Sequence, residues 1–402
     1  MAKLAEALRD QYIFPDVGQK AAAKISARLA AGDYDSVSDP AGFAARLSTD
    51  VAAVARDKHL NVWSTVGSPA PAASKAEMMP RQEAGITRAD RLQGGVGYIE
   101  VVGFPPLDGS KRAIDKAMNS LGGSKALIID LRRNGGGSPE TVAYLVSFLL
   151  PAGPPIAIND IVARTAKTTE FTRKSFSSVP TPIRFDRVPV YVLTSGQTFS
   201  GGEEFAYDVQ ALKRGTLVGE ITGGGANPAS VVELGHGLAA SIPDGRAENP
   251  ITKSNWESVG VQPEVRVAAK DALKVALERL GQKPMAEIET ASIEQVFAPR
   301  SAPLEGTEAA LRKLVAGLAA GNPDYSAMLP DFAKRTREQL PQLQRQLSAL
   351  GALQNVRFHG PLMTGDEFLL SFANGKAMMA IMLDANGKIE EALPPLPISA
   401  EE

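Results

Sequence analysis

Ser200 is the residue of this sequence whose type and position most directly suggest chemistry. It follows an apolar run at 189–193 that predicts a strand, and it precedes a helical pattern marked by Phe205 and Val209. A serine at a helix start often serves as an N-cap, accepting a hydrogen bond from a free backbone N–H. It can also be a nucleophile, because the N–H of Gly201 at the helix N-terminus would then be placed to bind an oxyanion.

His59 is the candidate base for such a serine. It lies where a predicted helix ends near Arg56 and an alternating, strand-like run begins. A free imidazole has a pKa of about 6.5 and can accept the proton of a serine hydroxyl near neutral pH. The simpler interpretation is a histidine at a helix C-terminus, where the helix dipole favours a positive charge.

A glycine-rich loop is the second feature of an acyl-transfer site. A continuous apolar run at 126–130 predicts a buried parallel strand, and residues 134–137 (Asn-Gly-Gly-Gly) follow it before another helix. Glycines allow backbone conformations that bring N–H groups close to a ligand. The spacing matches neither a P-loop nor a dinucleotide fingerprint, so the loop is either a tight turn or a source of oxyanion donors.

The composition excludes several other classes of function. With 43 basic and 45 acidic residues the formal net charge is -2, so no global field attracts nucleic acid or an anionic membrane. The chain has no cysteine, and its three histidines, His59, His236 and His359, are widely separated. No apolar run approaches the roughly 20 residues of a membrane span. We therefore expect no metal, no organic cofactor, no nucleic acid partner and no membrane span.

Helical and strand patterns divide the chain into four parts. Residues 1–57 predict a three-helix bundle, in which Asp39 caps a helix. Residues 58–284 predict an α/β core because strands alternate with helices, and a polar stretch at 161–188 within it predicts a surface excursion or lid. A Pro- and Ser-containing linker at 285–303 leads to the last part, 304–402.

The last part predicts an α+β domain. Its pattern indicates two helical regions, the second interrupted at Pro341, followed by strands joined at two-residue turns, Asn374-Gly375 and Asn386-Gly387. Helices on an antiparallel meander resemble the nuclear-transport-factor-like cone domains. That resemblance is architectural and implies no catalytic residues, so ligand binding, dimerisation and capping all stay open for this part.

The first nine residues look amphipathic and lack the apolar core of about 7–15 residues that a secretory signal carries. The expected location is therefore cytoplasmic, or else periplasmic or extracytoplasmic if a signal peptide has been removed. The sequence leaves the oligomeric state open, homo-oligomers included.

Four ordered motifs resemble the tail-specific, or C-terminal processing, serine peptidase family. They lie at 130–137 (Asp-Leu-Arg-Arg-Asn-Gly-Gly-Gly), 198–205 (Thr-Phe-Ser-Gly-Gly-Glu-Glu-Phe), 217–224 (Leu-Val-Gly-Glu-Ile-Thr-Gly-Gly) and 256–264, with Trp-Glu and Gly-Val-Gln-Pro-Glu. The branch they resemble is that of interphotoreceptor retinoid-binding protein and the tricorn core protease. The resemblance implies a crotonase-like (ClpP-type) β/α spiral core. Only about 36 residues separate His59 from the first core strand, so the PDZ module of processing peptidases does not fit.

The resemblance also implies roles for individual residues. Ser200 falls on the nucleophile and Gly201 on the oxyanion donor immediately after it, and Gly136 falls on, or within one residue of, the second oxyanion donor. The lysine base of the processing branch lies 25 residues after the nucleophile, where this chain has Gly225, so a Ser-Lys dyad is excluded there.

The tricorn-like branch instead uses a histidine and a glutamate, which His59 and Glu257 match. Lys58 stands where tricorn has a serine beside its histidine, and we mark it as an auxiliary residue.

These observations predict a serine peptidase that hydrolyses extended or unfolded peptides by a Ser-His-Glu mechanism. The main alternative is a non-catalytic scaffold that binds apolar ligands or peptides on the same fold. Crotonase-type acyl chemistry also uses two backbone N–H donors, but it leaves Ser200 unexplained.

Overall fold

The computed structural model describes residues 1–37, 39–65, 85–282, 302–362, 365–383, 387–392 and 396–398. The chain divides into two compact units, Met1–Met285 and Ala286–Glu402. All the candidate catalytic residues belong to the first unit, which is a mixed α/β structure. The predicted linker at 285–303 lies almost wholly outside the described residues.

The first unit begins with the three predicted helices, α1 (Ala2–Gln11), α2 (Pro15–Ala30) and α3 (Pro40–Ala55). Proline opens both α2 and α3, at a position where its missing N–H has no helical acceptor to lose. Asp39 caps α3 as the sequence predicts, since its Oδ1 accepts a hydrogen bond from the Gly42 N–H at 2.6 Å.

The three helices do not pack only on one another. They cover an antiparallel sheet whose strand order is β1 (Asn61–Ser64), β10 (Leu238–Pro243) and β9 (Ala229–Gly235). Leu4, Leu8 and Ile25 of the helices share one buried core with Leu238 and Ile242 of the sheet. The three predicted helices are present, and their apolar faces are buried against strands from far along the chain.

A six-stranded sheet forms the centre of the first unit. Its strands are β2 (Ile86–Leu92), β3 (Val96–Val101), β4 (Ala126–Asp130), β7 (Val190–Thr194), β8 (Thr216–Gly219) and β12 (Val265–Arg266). The order is β12-β8-β7-β4-β3-β2, parallel except for the edge strand β2. Every residue of β3 and β4 is buried, as expected for parallel strands covered on both faces.

Helices flank this sheet and complete its core. They are α4 (Leu107–Ser120), α5 (Pro139–Ser147), α6 (Gly201–Ala211) and α7 (Ala272–Arg279). Strands β4, β7 and β8 all point the same way, so the loops after Asp130, Thr194 and Gly219 meet at one edge of the sheet. Ligand sites of open parallel sheets lie at this carboxyl edge.

The polar stretch at 161–188 contains regular strands and is not simply an irregular excursion. Strands β5 (Ala157–Arg164) and β6 (Phe171–Ser177) pair antiparallel, and β11 (Gly245–Glu248) adds the third strand. Five of the seven β6 residues are exposed. The strand therefore lacks the apolar alternation by which sequence patterns reveal strands.

The second unit contains helices α8 (Thr307–Ala319) and α9 (Pro330–Leu350) and strands β13 (Leu353–Leu362), β14 (Gly365–Phe372), β15 (Gly375–Leu383), β16 (Ile389–Ala392) and β17 (Leu396–Ile398). The strands form one antiparallel sheet.

Two details of the second unit differ from the sequence prediction. Helix α9 continues through Pro341, and the later residues Leu343 and Leu347 are buried in the unit's core, which outweighs one missing helical N–H. The turn between β14 and β15 is formed by Ala373 and Asn374, one residue earlier than predicted. The other predicted turn, Asn386-Gly387, lies partly outside the described residues.

A chain ending at Met285 should fold without the second unit. Each buried apolar cluster of the described residues draws its members from one unit only, and a segment of either length is large enough to fold alone. Both tryptophans, Trp63 and Trp256, belong to the first unit. Tryptophan fluorescence should therefore give the same urea midpoint for the shortened and the full chain, whereas loss of a cooperative transition would show a shared core.

Candidate active site

Ser200 occupies an unusual backbone conformation at the start of α6. Its φ of 51° and ψ of -120° lie outside the regions that residues with a Cβ ordinarily adopt. Such conformations cost on the order of 1–3 kcal/mol and persist where surrounding contacts impose them, commonly at active sites. The hydroxyl group is thus presented at a sharp strand-to-helix turn rather than within a relaxed helix cap.

Glu203 supplies the contacts that hold this turn. Its side chain is fully buried, and its Oε2 accepts hydrogen bonds from the N–H groups of Ser200 at 2.9 Å and Gly225 at 2.8 Å. Its Oε1 accepts from the Gly224 N–H at 2.6 Å and from the Thr222 hydroxyl. Burial raises the pKa of Glu203, and these four hydrogen bonds oppose the rise. The sequence analysis gave Glu203 no role, although it lies three residues after Ser200, the spacing of a capping box.

The glycine-rich loop after β4 lies directly against Ser200. A methyl group on Gly136 would sit 2.6 Å from the Ser200 Cβ and 3.0 Å from the Gly201 nitrogen, and one on Gly201 would sit 3.0 Å from the Gly137 nitrogen. Gly136 and Gly137 have φ values of 109° and 136°, which favour glycine. Two glycine backbones therefore approach the nucleophile closely enough to place N–H groups beside it.

The hydrogen bonds of the loop distinguish Gly136 from Gly137. The predicted donor Gly136 already donates its N–H to the side-chain Oδ1 of Asn134 at 2.9 Å. Among the residues that the structure describes, the N–H groups of Gly137 and Gly201 have no recorded acceptor. The hydrogen bonds therefore favour Gly137 over Gly136 as the partner of Gly201, within the one-residue range that the resemblance implies.

Asn134 also connects the glycine-rich loop at 134–137 with the loop that leads into Ser200. Its carbonyl accepts the Phe199 N–H at 2.9 Å, and its side-chain amide donates to the Val101 carbonyl at 2.9 Å. A methyl group on Gly202 would lie 2.6 Å from the Asn134 Oδ1, so only glycine allows this approach. The glycine-rich loop after β4 and the loop that carries Ser200 are consequently held in a fixed relative position.

His59 lies beside the residue that precedes the nucleophile. Its ring centroid is 4.8 Å from that of Phe199, and a methyl group on Gly225 would come 2.8 Å from the His59 Cε1 and overlap the Phe199 ring. Gly225 is the position at which the related processing branch carries its lysine base. A side chain there would displace the rings of His59 and Phe199 from these positions.

Glu257 and Asp57 surround His59. A nitrogen of His59 and carboxylate oxygens of Asp57 and Glu257 all lie within 4.8 Å of one another. The structure thus brings the predicted pair His59 and Glu257 together and adds Asp57, which sequence reasoning missed. The sequence contained one indication of such a role for Asp57, namely its position two residues before His59. These side-chain types bind metal ions in other proteins, but the chemistry proposed below requires none.

Packing fixes the loop that carries Glu257. Trp256 is 2% exposed and donates its indole N–H to the Gly225 carbonyl at 2.9 Å. The Glu257 Oε2 accepts the Ala226 N–H at 2.6 Å. Burial, followed by the nearby charge of Asp57, raises the pKa of Glu257 to about 7, and hydrogen bonds from the backbone oppose this rise. Glu257 can therefore exchange its proton near neutral pH.

Lys58, the residue before His59, links this part of the chain to the glycine loop at 223–225. Its exposed ammonium group donates to the carbonyl of Gly223, in the same glycine loop that Glu203 holds. His236, to which no chemistry was assigned, is exposed in the turn between β9 and β10, as predicted.

Comparison with known proteins shows the family of the chain. Residues 95–267 match the model of peptidase family S41, and residues 1–90 match the N-terminal domain of peptidase S41 in eukaryotic IRBP. The chain belongs to peptidase family S41. The predicted resemblance is thereby confirmed, including the link to the retinoid-binding-protein branch.

Curated S41 relatives match the catalytic region. The chain is 30% identical over 171 residues to carboxyl-terminal-processing peptidase 2 of Arabidopsis thaliana chloroplasts, covering 42% of this chain and 31% of the relative. It is 26% identical over 174 residues to the chloroplast C-terminal processing peptidase of Tetradesmus obliquus, covering 43% and 35%. The chain therefore spans about a third of the length of these relatives.

A solved structure shares the fold of this S41 chain. A crystal structure of a candidate peptidase from Parabacteroides merdae superposes with a TM-score of 0.53 and 20% identity, covering 72% of this chain and 96% of the other. Within the described residues, no helix is both long and apolar enough to cross a bilayer.

A second group of buried acids lies on the nucleophile helix. Glu204 and Asp208 are 4% and 0% exposed, and Asn249 donates to the Asp208 Oδ1 at 3.0 Å. Burial raises the pKa of Glu204 to about 7, and burial together with the charge of Glu204 raises that of Asp208 well above its ordinary value. Folding therefore favours the protonated form of this pair.

The stability of the first unit should consequently fall as pH rises. A raised folded-state pKa contributes stability below the unfolded value of about 4.5 and loses it as pH rises through about 7, by up to about 1.4 kcal/mol per pH unit for one proton. Glu204→Gln should flatten this dependence. Urea midpoints from tryptophan fluorescence at pH 5.5 and pH 8 measure it, with the exposed Glu170→Gln as control; equal slopes in both variants would contradict the assignment.

Proposed function

We propose that this S41 chain is a serine peptidase in which Ser200 is the nucleophile. The observation that carries the proposal is the strained Ser200 conformation beside the Gly137 and Gly201 N–H groups. A relaxed helix cap needs neither the strain nor two glycine backbones in contact with it. A tetrahedral oxyanion needs both a presented hydroxyl and convergent donors.

The reaction follows the chemistry of a serine peptidase. The Ser200 Oγ attacks the peptide carbonyl carbon while its proton passes to a ring nitrogen of His59. The negative charge on the carbonyl oxygen is bound by the two N–H groups. His59 then gives the proton to the leaving amine as the C–N bond breaks, and water repeats the sequence to release the acyl group.

Glu257 is proposed to stabilise the positively charged His59. Its Oε1 is buried and has no hydrogen-bond partner within the described residues, so it can face the imidazole. Its pKa of about 7 means that the resting carboxyl group is partly protonated at neutral pH. Formation of the imidazolium favours the ionised form, because opposite charges at short range stabilise each other.

The substrate is proposed to be an extended or unfolded peptide. A cavity of about 450 Å³ lies where α5 begins, with walls formed by Pro139, Ile161, Ala163, Thr172, Arg173, Lys174 and Phe176. Pro139 follows Gly137 by two residues in the sequence, and the wall of the cavity combines apolar side chains with the exposed Arg173 and Lys174. No cofactor is required. We also propose that the core of the first unit is a crotonase-like spiral and that the second unit is a cone-like domain.

Labelling with a fluorophosphonate tests the nucleophile directly. The probe should modify the parent chain at Ser200, and Ser200→Ala should abolish both labelling and peptide hydrolysis. The exposed Ser175→Ala on β6 is the matched control and should label normally. An intact parent chain that neither labels nor hydrolyses unfolded peptides would favour the non-catalytic binding scaffold.

Glu257→Gln should keep the shape of the site but remove the charge that Glu257 presents to His59. In a triad with a single carboxylate the analogous change costs about 10⁴ in turnover, and here we expect a fall in kcat of about 10² or more. The urea midpoint should not fall, because burial already favours the neutral side chain. Unchanged kcat would remove Glu257 from the mechanism.

A further inference from the structure

Asp57 is a second carboxylate at the proposed base, and no role has been assigned to it so far. It is 4% exposed and lies between the end of α3 and His59. Its Oδ1 accepts the backbone N–H of His59 at 3.0 Å. Its Oδ2 accepts the Tyr12 hydroxyl at 3.1 Å and the Asn227 side-chain amide at 2.8 Å. Three separate segments of the first unit therefore converge on this one carboxylate.

The three groups that donate to Asp57 are a backbone N–H, a hydroxyl and an amide. None of these donors carries a positive charge that would pair with the carboxylate. Three donated hydrogen bonds suit the carboxylate form. The titratable or charged groups that face the cluster are His59, Glu257, Tyr12, Glu203 and Lys58. The Lys58 ammonium is bound to the Gly223 carbonyl. His59 is thus the group of this cluster that becomes cationic during the proposed reaction.

We propose that Asp57 is a positioning residue of the site, which fixes the His59 backbone and places a second carboxylate beside the imidazolium, alongside Glu257. This inference rests on the proposed peptidase function. Asp57 touches neither substrate nor the reacting atoms; it acts through His59. The two carboxylates differ in their contacts: Asp57 accepts three hydrogen bonds, one of them from the His59 backbone, whereas the Glu257 Oε2 accepts the Ala226 N–H.

The test is the pH profile of peptide hydrolysis by Asp57→Asn. Removing a negative charge makes protonation of a nearby imidazole less favourable, so the acidic limb of kcat/KM should move to lower pH. We expect kcat to fall by about 10- to 100-fold, less than the roughly 10⁴ of a sole triad carboxylate. An unmoved acidic limb with unchanged kcat would overturn the proposal.

Asp50→Asn is the matched control. Asp50 is also 4% exposed, lies within α3 and accepts a tyrosine hydroxyl, that of Tyr34 at 2.8 Å. The same substitution there should lower the urea midpoint but leave kcat and the acidic limb at parent values. Equal kinetic changes in the two variants would reduce Asp57 to a structural role.

Glu257→Gln gives a second measurement if Asp57→Asn does not fold. With the Asp57 carboxylate still beside His59, the fall in kcat should stop at about 10²–10³, whereas a fall of the full 10⁴ would show that Asp57 contributes nothing. Fluorophosphonate labelling of the parent chain separates the two proposals. A parent chain that labels at Ser200, combined with an unmoved acidic limb in Asp57→Asn, rejects the role of Asp57 while leaving the peptidase intact.

Discussion

The site depends on one buried carboxylate, that of Glu203. It is hydrogen-bonded to two loops that are separated in the sequence, one before α6 and one after β8. It accepts hydrogen bonds from Ser200, at the start of α6, and from Thr222, Gly224 and Gly225 after β8. Hydrogen bonds to a charged group contribute about 1.5–3 kcal/mol each. Together they can support the unfavourable backbone conformation of Ser200, which costs on the order of 1–3 kcal/mol.

The glycine loop that is hydrogen-bonded to Glu203 also packs beside His59. A Cβ on Gly225 would overlap the rings of Phe199 and His59. The Gly225 carbonyl accepts the Trp256 indole N–H, and the N–H of the next residue, Ala226, donates to Glu257. Ser200, His59 and Glu257 are therefore positioned through one short segment rather than by separate contacts. The glycine at 225 both creates the space for the histidine and removes the lysine base of the related branch.

Negative charge is concentrated and buried around this segment. Glu203 and Glu257 bind it and Asp57 lies beside Glu257, while Glu204 and Asp208 form the separate group on α6. Burial raises the pKa of Glu203, Glu204, Asp208 and Glu257. Such an arrangement opposes stability at alkaline pH, since buried carboxylates without a cationic partner favour the protonated form. It also favours a transient positive charge on His59. Folding stability therefore favours the protonated carboxyl groups, whereas the proposed chemistry favours ionised carboxylates beside His59.

The sequence by itself determined the buried strands β4 and β7, the position of Ser200 at a helix start and the exclusion of a lysine at 225. Local spacing and residue type carry that information. Tertiary structure decided the rest. Asp57 meets Asn227, 170 residues away, and the choice between Gly136 and Gly137 depends on one hydrogen bond to Asn134. The N-terminal helices bury their faces on distant strands. Hydrogen-bond partners and burial exist only once the chain has folded, so no local pattern can express them.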